Sequence, residues 1–255
     1  MADAPKSSAR SAPPRADVVK PRGVVVDPKV LLAGGAVAVI GLAVLAFFLW
    51  MVPNAAAREA RAACNGLKAT GPAMCDGQPC QLPMEMPNFT AYDHTGKPVD
   101  FKQKYRGKVV LLNFWASWCG VCKTEKPKLY QMAQEMSGGD FVVVALASDR
   151  TWTDVLLAIV ESLAPQTKLP DGEVSLDQAK QIYGNAMPKG LPFDVLLDPP
   201  EGDNNIGQIA ASWGIKAVPE SALIDRNGQI RAYFVNKRDW ESPVAETCLR
   251  SVIDE

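Results

Sequence analysis

Two cysteines, Cys119 and Cys122, stand three apart behind the apolar run Val109-Val110-Leu111-Leu112-Asn113-Phe114-Trp115. The polar stretch that follows, Lys123-Thr124-Glu125-Lys126-Pro127-Lys128-Leu129-Tyr130, reads as the continuation of a helix that begins at the cysteines. A buried strand thus delivers two thiols to a helix N-terminus. The first four amides of a helix lack intrahelical partners, and the helix dipole adds partial positive charge there. Both effects favour thiolate over thiol and lower a cysteine pKa below its free value of about 8.5. Two intervening residues close a small ring, so the disulfide opens and re-forms without refolding. Trp118 covers the site while leaving one edge free. The spacing therefore points to thiol–disulfide exchange. A zinc site is the weaker alternative, because zinc needs two further ligands at similar spacing. No second Cys-x-x-Cys exists, and His94 is the only histidine. An inert structural disulfide is weaker still.

The chain has 255 residues with 27 basic and 28 acidic groups, a balance that gives no reason to expect a nucleic-acid partner. Residues 1–29 hold six basic and three acidic groups among Ala, Pro and Ser. Such a segment buries too little apolar surface to offset chain entropy, and is expected to be a disordered cytoplasmic tail. Val30 to Val52 is 23 residues without a charge, the length of a transmembrane helix. A cleaved signal peptide would have a shorter apolar core, although Ala55-Ala56-Ala57 resembles a cleavage site. The basic leader places the N-terminus in the cytoplasm and the remainder outside it. Residues 53–86 read as a linker with a short helical patch near 55–63 and a cysteine-bearing loop. Residues 87–255 read as the domain that carries the chemistry.

Besides the central pair, the chain has Cys64, Cys75, Cys80 and Cys248, an even number suited to a disulfide-permitting compartment. Three pairings are possible, and spacing does not choose between them. The turn-like Asp76-Gly77-Gln78-Pro79 favours Cys75–Cys80, which leaves Cys64 for Cys248. Alternatively Cys248 is a small buried apolar residue, sharing a helix face with Val244 and Val252. Met84-Glu85-Met86 invites a copper reading, since Met-x-Met ligates soft Cu(I), but such methionines more often pack at a domain edge. His94 lies in the turn Asp93-His94-Thr95-Gly96 and reads as solvated. No metal site or cofactor is expected.

Phe89–Tyr92 and Pro98–Phe101 are short strand candidates, and Val109–Trp115 is a central strand apolar on both faces, as parallel strands are. The helix from about Gly120 to Met136 is expected to bury Val121, Leu129, Met132 and Met136, with Lys123, Lys126 and Lys128 outward. Phe141–Ala147 follows as a strand, then a helix at Thr151–Leu163. The proline-rich stretch 164–192, with a short helix at Leu176–Tyr183, reads as an insertion. Phe193–Leu197 is a further strand and Ile206–Trp213 a helix. Asn227-Gly228 between two strand-like runs is a hairpin signal. Ser242-Pro243 opens a last helix as cap and first residue.

The order βαβ, hairpin, helix is that of a thioredoxin fold. Pro87-Asn88-Phe89, then Asp93-His94-Thr95-Gly96-Lys97-Pro98-Val99, Arg106-Gly107-Lys108 and the run to Pro127 carry a closer resemblance. With Val218-Pro219-Glu220 and Ala222-Leu223-Ile224-Asp225-Arg226-Asn227-Gly228, they make residues from about 87 to 255 similar to the membrane-anchored thioredoxin-like proteins of the TlpA/ResA/DsbE (CcmG) group. The resemblance implies an α/β thioredoxin-like fold, a central mixed sheet flanked by helices behind an N-terminal transmembrane anchor. It further implies a single pass through the bacterial inner membrane, a catalytic domain in the periplasm, and a reducing role, often in cytochrome c maturation.

On that basis Cys119 is the attacking nucleophile and Cys122 the resolving thiol. Trp118, Val218 and Pro219 bind substrate, with Pro219 resembling the cis-proline opposite the active cysteines. Glu125, three residues past Cys122, faces roughly its side and matches an acid of the ResA-like branch. Glu220 matches an acid of the DsbE-like branch. Either can accept the proton of Cys122. Asn113 stands where thioredoxin has a buried aspartate, and Val121 replaces the usual proline between the cysteines. The expected partners are disulfide-containing proteins, a transmembrane thiol-reductant carrier, and the membrane itself. The expected substrates lie in cytochrome c maturation or copper-protein assembly. A redoxin-type peroxidase would need Pro-x-x-x-Thr-x-x-Cys, whereas Leu112 and Ala116 occupy those positions. A Cu(I)-binding carrier is the other alternative, and it lacks a suitably placed histidine.

Overall fold

The computed structural model describes residues 28–136 and 139–255. The chain divides into two units, Met1–Met51 and Val52–Glu255. The described part of the first lies in α1, the helix Pro28–Gly66. Its 24-residue stretch Pro28–Met51 is long and apolar enough to cross a membrane. At 1.5 Å per residue it extends about 36 Å, against about 30 Å of hydrocarbon. Large apolar side chains such as Leu32, Val37, Leu42, Phe48 and Trp50 stand exposed along it. Lipid tolerates such a surface and water does not. The disorder expected for 1–29 falls outside the described residues, except at Pro28 and Lys29, which are helical.

The sequence pattern predicts a linker over 53–86; the structure instead continues α1 to Gly66 and ties the following chain into the second unit. Three contacts explain the difference. Cys64 is disulfide-bonded to Cys248, 184 residues on. Arg238 Nε donates to the Leu67 carbonyl at 2.7 Å. The Thr70 amide donates to the Tyr233 carbonyl at 2.8 Å. Cys64, Leu67, Cys80 and Met86 are consequently buried. Cys75 and Cys80 form the second disulfide, around a turn in which Asp76 and Gly77 have φ of 52° and 76°. Gly71 lies against this loop so closely that a Cβ would sit 1.9 Å from the Cys80 carbonyl oxygen, which only glycine avoids.

Eight strands form one mixed sheet. In chain order they are β1 (Met84–Glu85), β2 (Thr90–Tyr92), β3 (Pro98–Asp100), β4 (Val109–Trp115), β5 (Phe141–Ala147), β6 (Asp194–Leu197), β7 (Glu220–Ile224) and β8 (Gln229–Val235). Their spatial order is β1-β8-β7-β4-β5-β6-β2-β3. β4 is the hub, buried at every residue, parallel to β5 and antiparallel to β7. β7 and β8 form the hairpin signalled by Asn227-Gly228. β1 had no signal in the sequence beyond the two methionines, and Met86 packs into the core.

The remaining helices are α2 (Phe101–Lys104), α3 (Gly120–Met136), α4 (Trp152–Leu163), α5 (Leu176–Ala186), α6 (Gln208–Ser212) and α7 (Pro243–Ile253). Their caps follow the sequence: Thr151, Ser175 and Ser242 each accept a backbone amide of the first turn. α2 was not expected; Asp100 caps it by accepting from the Gln103 amide at 2.8 Å, which ends the strand before Phe101. Side chains of β4 at Val109, Leu111 and Trp115 pack with α3, α4 and α7, whereas Val110, Leu112 and Phe114 pack with Phe101, Ala210 and Trp213. This is the α/β sandwich of a thioredoxin-like fold.

The Cys64–Cys248 bond closes the largest loop in the chain, so the unfolded state loses much freedom, by about 5 kcal/mol on chain-entropy grounds. The double variant C64S/C248S is expected to lose about 2–5 kcal/mol of stability. Denaturant midpoints should fall while disulfide exchange at Cys119–Cys122 persists in the folded fraction.

Candidate active site

β4 ends at Trp115, and the next four residues carry the chain to the N-terminus of α3. The loop is held from the side: Asp149 accepts from the Ser117 amide at 3.0 Å and from its hydroxyl at 2.5 Å. Trp118 Nε1 donates to the Ser148 carbonyl at 3.4 Å. Cys119 and Cys122 are disulfide-bonded across the first turn. Cys119 keeps 7% of its surface and Cys122 only 1%, so the first sulfur is the one within reach. Exposed Trp118 and Val121 form an apolar rim around it.

The Cys119 sulfur has two polar neighbours. The Cys122 amide donates to it at 3.1 Å, one of the free donors of the helix N-terminus. The Val218 carbonyl lies 3.4 Å away on the other side. The Val218–Pro219 peptide bond is cis, in keeping with the resemblance of Pro219 to the proline of thioredoxin-like sites. The structure therefore brings Cys119, Cys122, Trp118, Val218 and Pro219 together.

The two acids part ways. Glu125 is buried on α3, and its carboxylate accepts from the Arg238 amide at 2.7 Å and from Trp240 Nε1 at 2.9 Å. Asn113 Nδ2 reaches the other oxygen at 3.5 Å and Ser221 Oγ at 3.0 Å. Burial pushes the Glu125 carboxyl above the usual range, against the pull of those hydrogen bonds and of Lys126. Glu220 sits on β7 opposite Phe114, with its carboxylate accepting from the Tyr233 hydroxyl at 2.5 Å. Since strand residues alternate, Ser221 faces the α3 side with Asn113, while Glu220 faces the opposite layer. Burial raises the Glu220 carboxyl too, but it is not gathered with Glu125.

Two expectations for α3 are corrected. Val121 is exposed, because the first turn points it toward the rim. Lys126 is buried at 1% exposure. It lies four residues past Cys122, on the same helical stripe as Leu129, and its Nζ stands 3.3 Å from the centre of the Trp115 ring. The helical period places position 126 inward; lysine chemistry argued it outward, since lysine is rarely buried unpaired. Asp149, Arg238 and Trp240 were not singled out from sequence, because their partners lie 32, 113 and 115 residues away. Among the described residues no His, Cys, Asp and Glu side chains cluster as a metal site.

A disulfide closed across the first turn of the helix that follows the central strand is the site of a thiol–disulfide oxidoreductase with a thioredoxin-like fold. The chain belongs to the Redoxin family, whose model matches residues 81–249. It is 27% identical over 166 residues to the thiol-disulfide oxidoreductase ResA of Bacillus thuringiensis, covering 65% of this chain and 76% of that protein. It is 30% identical over 124 residues to the thiol:disulfide interchange protein HelX of Rhodobacter capsulatus, covering 49% of this chain and 50% of that one. A solved thiol:disulfide interchange protein DsbE of Chlorobium tepidum is 27% identical with a TM-score of 0.47, covering 67% of this chain and 96% of that one.

The raised Glu125 carboxyl has a consequence for stability. Below the ordinary glutamate range the group is protonated in both the folded and unfolded states and contributes nothing. As pH rises through that range, the unfolded chain ionises first, so wild-type stability falls until the folded carboxyl ionises as well. Glu125→Gln removes this dependence. Urea unfolding at pH 4 and pH 8 should show E125Q gaining on the wild type at the higher pH. Glu125→Ala leaves the Trp240 and Arg238 donors unpaired and should lose about 1–3 kcal/mol per donor.

Proposed function

We propose that this chain is a membrane-anchored protein-disulfide reductant acting outside the cytoplasm. The observation that carries the reading is the Cys119 sulfur, the accessible member of the pair, set between the Cys122 amide and the Val218 carbonyl. In the reduced state Cys119 attacks as thiolate on one sulfur of a substrate disulfide. A mixed disulfide forms and the second substrate sulfur leaves as thiolate. Cys122 then gives up its proton and attacks the Cys119 sulfur, releasing the substrate dithiol and restoring the disulfide. Two electrons pass to the substrate.

Glu125 acts as acceptor for the Cys122 proton. It lies on the buried side of the same helix and is linked to Ser221 through Asn113. Glu220 faces the other layer, so the geometry favours Glu125 for this role. Trp118, Val121 and the backbone at Val218 receive an extended substrate segment. Re-reduction requires a dithiol donor on the same side of the membrane, supplied by a transmembrane thiol carrier. The Pro28–Met51 helix supports the anchored location and the basic leader its orientation. Similarity to ResA, HelX and DsbE homologues supports substrates in cytochrome c maturation.

A disulfide-bonded peptide bearing Cys-x-x-Cys-His tests the reading. The pre-reduced Cys122→Ser chain should accumulate a covalent adduct through Cys119, and Cys119→Ser should form none and lose at least 100-fold in reduction rate. Undiminished reduction by C119S would refute the assignment.

A further inference from the structure

Lys126 is a buried charge near the pair that the exchange chemistry leaves unused. Its Nζ has no hydrogen-bond partner, although it is enclosed on all sides. What holds it is the face of Trp115, a ring that packs in the same apolar cluster as Cys119 and Cys122. The carboxylates that face it are engaged elsewhere. Glu125, its neighbour on α3, is bonded to Arg238 and Trp240, and Asp149, beyond β5, is bonded to Ser117. On α4, Asp154 serves the Thr151 cap and Glu161 pairs with Lys123. Arg238 is directed to the Leu67, Asn236 and Lys237 carbonyls. With the disulfide closed, the ammonium has attraction from Glu125 and Asp149 at a distance but no contact ion pair, and burial brings its pKa down to about 7.

We infer that Lys126 is a positioning residue that places a positive charge beneath the cysteine pair and takes up a proton when the disulfide is reduced. It touches neither substrate nor sulfur; it acts through the charge of the thiolate. The disulfide is neutral, whereas the reduced pair carries a thiolate on Cys119, which packs in the same buried cluster as the Trp115 ring that holds this amine. A negative charge in the same dry cluster favours ammonium over amine. The step balances as follows. A donor dithiol is oxidised to its disulfide, and its two electrons break the Cys119–Cys122 bond. Of its two protons, one stays on Cys122 and one moves to the Lys126 amine, leaving Cys119 as thiolate. The inference rests on the cysteine pair cycling between disulfide and dithiol, as proposed above.

The test is redox equilibrium of the full chain in detergent against glutathione buffers from pH 6 to pH 10. The Cys119–Cys122 peptide is quantified by mass spectrometry after acid quenching, so the other disulfides do not interfere. Lys126→Met keeps the volume and removes the charge. At pH 7, K126M should favour the disulfide about tenfold more than the wild type does, a potential about 30 mV more negative. The difference should close as pH rises and the wild-type ammonium discharges in the reduced state. Lys126→Arg, charged throughout, should match the wild type at pH 7 and not close at pH 10. The wild type alone should show a steeper fall of potential with pH than K126M above pH 7. A folded K126M whose equilibrium stays within twofold of the wild type, or is displaced equally at every pH, overturns the inference. A wild-type pair that never exchanges with glutathione overturns instead the function on which the inference rests.

Discussion

The complete burial of β4, paired along its length with β5 on one side and β7 on the other, is the constraint from which the site follows. A strand with no exposed face has no freedom of register, since a shift of one residue would turn Asn113 and its neighbours through the sheet. Its C-terminal end is therefore fixed, and with it the start of α3 and the two sulfurs. The same pairing aligns Asn113 with Ser221, two residues past the cis peptide, so Val218 is brought to the Cys119 sulfur by strand register. The placement of the more exposed sulfur, of the amide that donates to it and of the backbone opposite follows from one buried strand.

A second layer of control comes from long-range contacts onto α3. Glu125 is held from the loop after β8 by Arg238 and Trp240, and Arg238 also holds the Leu67 carbonyl near the N-terminal end of the second unit. The Cys64–Cys248 disulfide fastens the same corner. One acid beside the cysteines is thus immobilised by the pieces of chain that fold around it. Lys126 complements it with a charge that the disulfide state satisfies only through an aromatic face and two carboxylates bonded elsewhere.

Local chemistry was legible where it governed local structure. Val109–Trp115, the Cys-x-x-Cys helix, the Asn227-Gly228 hairpin and the Ser242-Pro243 start all depend on neighbours within a few residues. The resemblance of Val218-Pro219 to a known motif anticipated the cis bond, which spacing alone would not. Among contacts across more than a hundred residues, the Cys64–Cys248 pairing was anticipated, as what remained once Cys75 was paired with Cys80, whereas the hydrogen bonds of that range were invisible. The run after Met51 looked like a linker, despite the expected bridge to Cys248, because the groups that fasten its backbone, Tyr233 and Arg238, lie at the far end of the sequence. Lys126 was misplaced for a different reason. Periodicity and residue type gave opposite answers, and the Trp115 face that reconciles them appears only when strand and helix pack.

The central claim is that Cys119, not Cys122, is the activated sulfur. Alkylation of the reduced protein by limiting iodoacetamide, followed residue by residue with mass spectrometry across pH, measures this directly. The account predicts that Cys119 is modified first, with a pH midpoint below the value of about 8.5 for a free cysteine, while Cys122 stays intact. Preferential modification of Cys122, or a Cys119 profile that follows a free thiol, would contradict it.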